Sequence, residues 1–255
     1  MSLVSFALRL VVSRMLKDRT LARDLIFNSP VDPLVEWKAR VGEGDSLPCI
    51  AVYTGKRSPN IIGKATQGTD ATIELIFDIL VPPTPVVVDD YIELTTTNTG
   101  GAMVMDIVWR QIEAALRGAP APWQDIWDIF VIKVLEIESR PLLYQIEAGN
   151  TVPCVEVTMR LRTVPDPDFG VHLLPGWQKM CAAMAADPDY RDYASFFEKL
   201  ITDPEDLSSW EQVQAALGLS RGSVDSIGLG PADSTAQDDP ALVSGVTYTD
   251  TERRP

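Results

Sequence analysis

The sequence predicts an α+β domain: an antiparallel β-sheet with two helices packed on one face, in the order helix-strand-strand-helix-strand-strand. A C-terminal helical extension and an extended tail follow. Three observations lead there. Apolar residues recur at helical spacing in two windows, near the N-terminus and around residues 103–116. They alternate with polar residues in three others, most cleanly in VEVTMRLRT, and CIAVYT adds a short apolar run. The strands come in consecutive pairs, which favours antiparallel hairpins over parallel crossovers.

The first helix covers about residues 2–18, with Val4, Leu8, Val11, Val12 and Met15 as its apolar stripe and Arg9, Arg14 and Lys17 mostly off it. LIFNSPVDPLVEW carries two prolines and no sustained period, so it reads as an ordered, irregular connector. Strand one is Cys49–Thr54. Strand two alternates, with Ile73, Leu75, Phe77, Ile79 and Val81 inward and Thr72, Glu74 and Asp78 outward, until Pro82-Pro83 ends it. Asp89-Asp90 reads as a turn between strand-like runs. The second helix is capped by Thr97, Asn98 or Thr99, buries Met103, Ile107, Val108, Ile112, Ala115 and Leu116, and stops at Gly118. DIWDIFVIKVLEIES then reads as a strand with Trp127, Ile129, Val131, Leu135 and Ile137 on one face. The last strand turns Val155, Val157, Met159 and Leu161 inward. This domain spans residues 1–165. Residues 166–218 form a proline-rich junction and short helices, in which Asp187-Pro188 and Asp203-Pro204 suit helix starts and Ser209 with Gln212 (or Ser208 with Glu211) suits a capping box. Residues 219–255 form an extended acidic tail with too little apolar content to fold alone.

The 255 residues are ample for a core, and 45% hydrophobic with 23% charged residues is ordinary for a globular protein. The net charge of -14 is polarised: residues 1–65 hold 10 basic side chains against 6 acidic, whereas residues 166–255 hold 6 against 16. An acidic chain is a poor general nucleic-acid binder. Polarised charge suits either an acidic solubility tail or head-to-tail or ring packing, in which one end of a subunit meets the other end of its neighbour. Cys49, Cys154 and Cys181 fit no zinc spacing, and an odd count argues against a disulfide scaffold. No apolar run reaches membrane-spanning length. Arg9 interrupts the N-terminal apolar stretch and no small-residue cleavage site follows, so this stretch reads as a helix of a protein made in the cytosol.

Gly55-Lys56-Arg57 invites a phosphate-loop reading, but a P-loop needs glycine four residues before Gly-Lys-Ser/Thr at a strand-to-helix turn. Ile50 occupies the upstream position and Arg57 follows the lysine; Gly63-Lys64 fails likewise, with Ser58 upstream and Ala65 after. Lys56, Arg57 and Lys64 are therefore read as simply exposed bases of a long β-hairpin loop. His172, the one histidine, adjoins no nucleophile. The Asp-Pro-Asp motifs fit helix starts better than a calcium loop. Asp78, Glu74 and Lys133 could be forced into a metal-nuclease role, although their spacing does not demand it. The expectation is no catalytic, cofactor-binding or metal-binding residue.

RTLARDLIFNSPVDPLVEW, then LPCIAVYTGKR, then TIELIFDILVP together resemble the tail terminator proteins of tailed bacteriophages. The similarity runs through Arg19-Thr20, Ala22, Ile26, Ser29, Pro33-Leu34 and Pro48 to Thr54, with VTMRLRTVPDPDFG closing a region of about residues 3–170. It implies a homohexameric ring in the virion tail or neck. Such a ring caps the last tail-tube ring, stops tube polymerisation, docks a neck or head-completion protein and, in contractile tails, binds the sheath. Gly55-Lys56-Arg57 would then be a hairpin tip facing a neighbouring subunit, the next ring or lumenal DNA. The alternatives are another neck component of similar fold and a small metal-dependent enzyme. Beyond the resemblance, ALVSGVTYT (241–249) keeps a β-favouring run, and Val243, Val246 and Tyr248 are expected to lie as an added strand along another subunit, the sheath or a neck protein, the alternative being that the tail folds back on its own domain.

Overall fold

The computed structural model describes residues 2–30, 47–60, 70–81, 85–88, 91–94, 98–145, 151–170, 172–208 and 210–212, together with Pro33, Val35 and Trp37. Among these residues the architecture is α+β, with one five-stranded sheet and several helices.

Helix α1 (Leu3–Leu16) begins at Ser2, whose hydroxyl oxygen accepts the Ser5 N–H at 3.3 Å. The expected stripe of Val4, Leu8, Val11, Val12 and Met15 is fully buried, but so are Ala7, Leu10 and Leu16, and Arg9 and Ser13 are nearly so. The amphipathic expectation is corrected here. The helix is wrapped on more than one side, by strands and by helices of the C-terminal region, so it has no broad solvated face.

The expected connector contains a short strand, β1 (Ile26–Asn28), parallel to β2 (Cys49–Pro59) with Ile26 opposite Ile50. Strand β3 (Ala71–Leu80) pairs antiparallel with β2, and a small hairpin of β4 (Pro85–Val88) and β5 (Tyr91–Leu94) follows. Asp89-Asp90 lies between them, outside the described residues. Helix α2 (Asn98–Gly118) buries Met105, Val108, Ile112, Ala115 and Leu116. Met103 and Ile107, expected in the core, are exposed at 61% and 40% because the buried stripe runs through Met105 instead.

A second correction concerns residues 123–130. They form helix α3 (Trp123–Phe130) rather than the start of a strand, and bury Ile126, Trp127 and Phe130 while Ile129 is exposed. Those three positions follow helical spacing, which competes with a two-residue alternation over so short a window. Strand β6 (Val131–Gln145) starts immediately after, and β7 (Thr151–Thr163) closes the sheet in the order β1-β2-β3-β7-β6.

One sheet face carries Ile50, Val52, Ile73, Leu75, Phe77, Ile79, Val157, Met159 and Leu161 against the helices, as the alternation predicts. The opposite face is not uniformly polar. Leu25, Phe27, Cys49, Ala51, Leu80, Val152 and Cys154 form a smaller second core there, which also buries Asp78. Helices α4 (Pro175–Ala186) and α5 (Arg191–Thr202) join the main core through Trp177, Met180, Met184, Phe197 and Ile201. Packing is therefore continuous across the expected boundary at residue 165. Asp187 caps the end of α4 instead of starting a helix, and Asp203 precedes a 3-10 turn, Pro204–Asp206. The Ser208 and Glu211 box forms: the Ser208 N–H and hydroxyl both donate to Glu211 Oε2, at 2.8 and 2.7 Å.

Candidate assembly surface

The Gly55-Lys56-Arg57 stretch lies within β2, not at a hairpin tip. Pairing of Thr54 with Leu75 and of Arg57 with Ile73 leaves one extra residue in β2, a β-bulge. The freed Lys56 N–H donates to Glu74 Oε2 at 3.1 Å. A Cβ on Gly55 would stand 2.9 Å from Ile76 Cδ1 and 3.1 Å from Glu74 Oε2, the ends of two side chains that would have to shift to admit it. Arg57 resumes the ladder and pairs with Asp166 Oδ2 at 2.8 Å. Asp166 in turn accepts from the Ser2 hydroxyl at 2.7 Å and the Val4 N–H at 3.0 Å, so it ties β2 and the junction to the start of α1. Arg57 is thus engaged within its own chain, while the Lys56 side chain is exposed. Lys64, Val243, Val246 and Tyr248 lie outside the described residues.

Catalytic arrangements are not assembled by the residues weighed from sequence. Glu74 and Asp78 share β3, whereas Lys133 is two strands away on β6, with β7 between. Arg160 stands between Glu74 and Glu136 and bonds Glu136 at 2.7 Å. His172 is exposed. Burial pushes all three thiols up, Cys49 to about 12 and Cys181 to about 11, which keeps them protonated and unreactive. Among the described residues no group of three His, Cys, Asp or Glu could hold a metal ion, and no helix is long and apolar enough to cross a membrane.

A polar cleft of about 480 Å³ separates α1 from the start of α5, lined by Phe6, Arg14, Lys17, Asn28, Asp189 and Tyr190. Arg14 crosses it, with Nε 2.7 Å from Asp187 Oδ2, a second contact to Asp189, and its guanidinium 4.9 Å over the Tyr190 ring. Although burial alone would lower it, the Arg14 pKa is raised by these carboxylates and the Tyr190 hydroxyl. These contacts fasten α5 to α1. Deeper in, buried Arg9 bonds two neutral groups: Nε donates to Asn28 Oδ1 at 3.2 Å and Nη1 to Thr54 Oγ1 at 2.6 Å. Desolvation lowers its pKa.

The feature that sequence reading missed is β6. It pairs with β7 on one side, and no described strand pairs with its other side. Its apolar side chains are largely solvent-facing: Ile132 (54%), Val134 (41%), Leu135 (46%), Ile137 (45%) and Leu143 (72%). Two bulges each add a residue, around Ile132 and Leu135, so apolar side chains point to both faces. On the helix side, Ile137 and Ser139 border a groove of about 110 Å³ with Met105 and Trp109 of α2. Exposed Met103 and Ile107 on α2 and Ile129 on α3 extend the apolar character of these neighbouring elements. A signal for this was present in VIKVLEIES, where apolar residues occupy both odd and even positions. β7, by contrast, alternates regularly over residues 155–163. Long, apolar, unpaired edges are uncommon in monomers and mark association sites. Compared with known proteins, the chain matches no protein-family model and no curated protein.

Proposed function

We propose that this chain is a ring-forming structural subunit: a phage tail terminator that caps the tail tube, stops its growth and offers a docking face to the neck. The observation that carries the reading is the apolar flank of β6 and α2 along an unpaired sheet edge, a surface suited to burial against a second copy of the chain. The charge polarity and the resemblance over residues 3–170 supply the ring and the tail. Lys56, exposed beside the Gly55 bulge, is available to an acidic neighbouring surface or to lumenal DNA, while Arg57 serves the fold.

Mass photometry and negative-stain imaging at micromolar concentration test the proposal. Hexameric rings are expected, either free or on supplied tube ends. Leu135→Asp with Ile137→Asp should abolish them without moving the melting temperature, since both side chains are exposed in the isolated chain. A stable isolated dimer, or a chain monomeric even with tube ends, would overturn the ring.

A further inference from the structure

We infer that the free edge of β6 is completed by residues 241–249 of a neighbouring copy of this chain, which add a strand and cover the groove between β6 and α2. The inference rests on the ring reading. Its first support is the edge itself. The bulges around Ile132 and Leu135 interrupt the regular ladder at the start of β6, and Pro141 lacks an N–H, so Glu136–Arg140 is the regular stretch that can accept a short strand. These same irregularities disfavour indiscriminate pairing of long edges.

The second support lies in the occupant. ALVSGVTYT is a nine-residue uncharged run with Val243, Val246, Thr247, Tyr248 and Thr249 suited to extended backbone, and acids flank it at Asp238-Asp239 and at Asp250 and Glu252. On β6, Glu136 and Glu138 sit between Lys133 and Arg140. An uncharged centre laid beside the glutamates avoids like-charge contact, and the flanking acids extend toward the bases in either strand direction. Val246 and Tyr248, two residues apart, share one face of an added strand and there cover Ile137 and the mouth of the groove by Trp109.

Reach is sufficient. Residues 213–240 separate this run from Gln212, the end of the described chain, and an extended segment of that length spans up to roughly 90 Å. Main-chain hydrogen bonds then supply affinity, and the Val246 and Tyr248 side chains supply register.

Two measurements on the full chain test this. Hydrogen exchange in the assembled state should show amides of 136–140 protected, and the double variant Val246→Asp with Tyr248→Asp should speed their exchange at least tenfold with the melting temperature unchanged. Mixing one population carrying Ser139→Cys with another carrying Val246→Cys should give a disulfide-linked band between chains under mild oxidation. Rings with neither protection nor crosslink would overturn the inference while leaving the ring intact. A crosslink formed only when both cysteines are in one chain would overturn the neighbouring donor. Absence of rings altogether would instead refute the ring reading on which it rests.

Discussion

Trp177→Ala tests whether α4 and α5 form one cooperative unit with the sheet. Trp177 is 2% exposed and belongs to the main core. Its ring centroid lies 4.8 Å from that of Phe130 on α3 and 5.8 Å from that of Phe197 on α5, so one side chain joins three helices. Phe197 continues the chain of rings to Phe6 on α1, at 5.5 Å. Truncating a buried Trp typically costs about 3–5 kcal/mol, within which aromatic pairs account for roughly 0.5–1.5 kcal/mol each. At about 2–4 °C per kcal/mol for a chain of this size, the melting temperature should fall by roughly 6–20 °C. Calorimetry, with urea unfolding followed by far-ultraviolet circular dichroism, reads the loss without relying on the deleted fluorophore. One transition with a lower midpoint and an unchanged slope is expected. Leu174→Ala, at an exposed position just before α4, serves as the control and should stay within about 0.5 kcal/mol. If Trp177→Ala left the main transition in place and moved only a separate smaller one, residues 166–212 would be an independent appendage and the continuous core would be refuted.

Phe77, fully buried and edge-on to Trp109 at 5.9 Å, should lose about 3–5 kcal/mol on Phe77→Ala; an unmoved melting temperature would show its β3 face misassigned. Arg9→Met should be neutral or stabilising by thermal melt, because it removes a buried cation while keeping volume, whereas Arg9→Ala should destabilise by leaving a cavity; the opposite order would show that the Asn28 and Thr54 hydrogen bonds dominate. The three thiols should resist a thiol-specific reagent in the folded protein and react in denaturant. Their folded pKa values lie above the unfolded value of ~8.5, so the associated stability is intact below that pH and declines as pH rises toward about 11–12, which urea midpoints measured across this window should show.

The parts of the fold legible from sequence are those in which one periodicity meets one environment. Residues 71–77 of β3 and 155–163 of β7 alternate because one face meets the helices, and Ile73, Leu75, Phe77, Val157 and Leu161 fall where the pattern puts them. The second core was illegible because Leu25 and Phe27, Cys49 and Ala51, and Leu80 sit on three segments and come together only through the parallel β1–β2 and antiparallel β2–β3 pairings. The switch from α3 to β6 has no glycine or proline at Phe130-Val131, so nothing local marks it. Asp166 reads from sequence as half of an Asp-Pro-Asp motif. Its actual partners, Ser2, Val4 and Arg57, lie more than 100 residues away, and only tertiary packing reveals them.

The same reasoning explains why the assembly surface was misread. A strand with apolar residues at both parities is normally assigned to the middle of a sheet, covered on both faces. β6 has that pattern but occupies an edge, and its core-facing expectation fails at Leu135 and Ile137 while succeeding at Leu161 one strand away. Solvation cannot account for such a composition, because an edge meant for water gains nothing from five exposed aliphatic side chains. Among the described residues no strand covers that edge, and on α2 Met103 and Ile107 are exposed as well. Under the proposed ring, a surface with core composition, bulged so that it resists random pairing, would be buried against a neighbouring copy. The expected alternation, with Val131, Leu135 and Ile137 on one buried face, is broken by the two bulges, and Leu135 and Ile137 stand exposed.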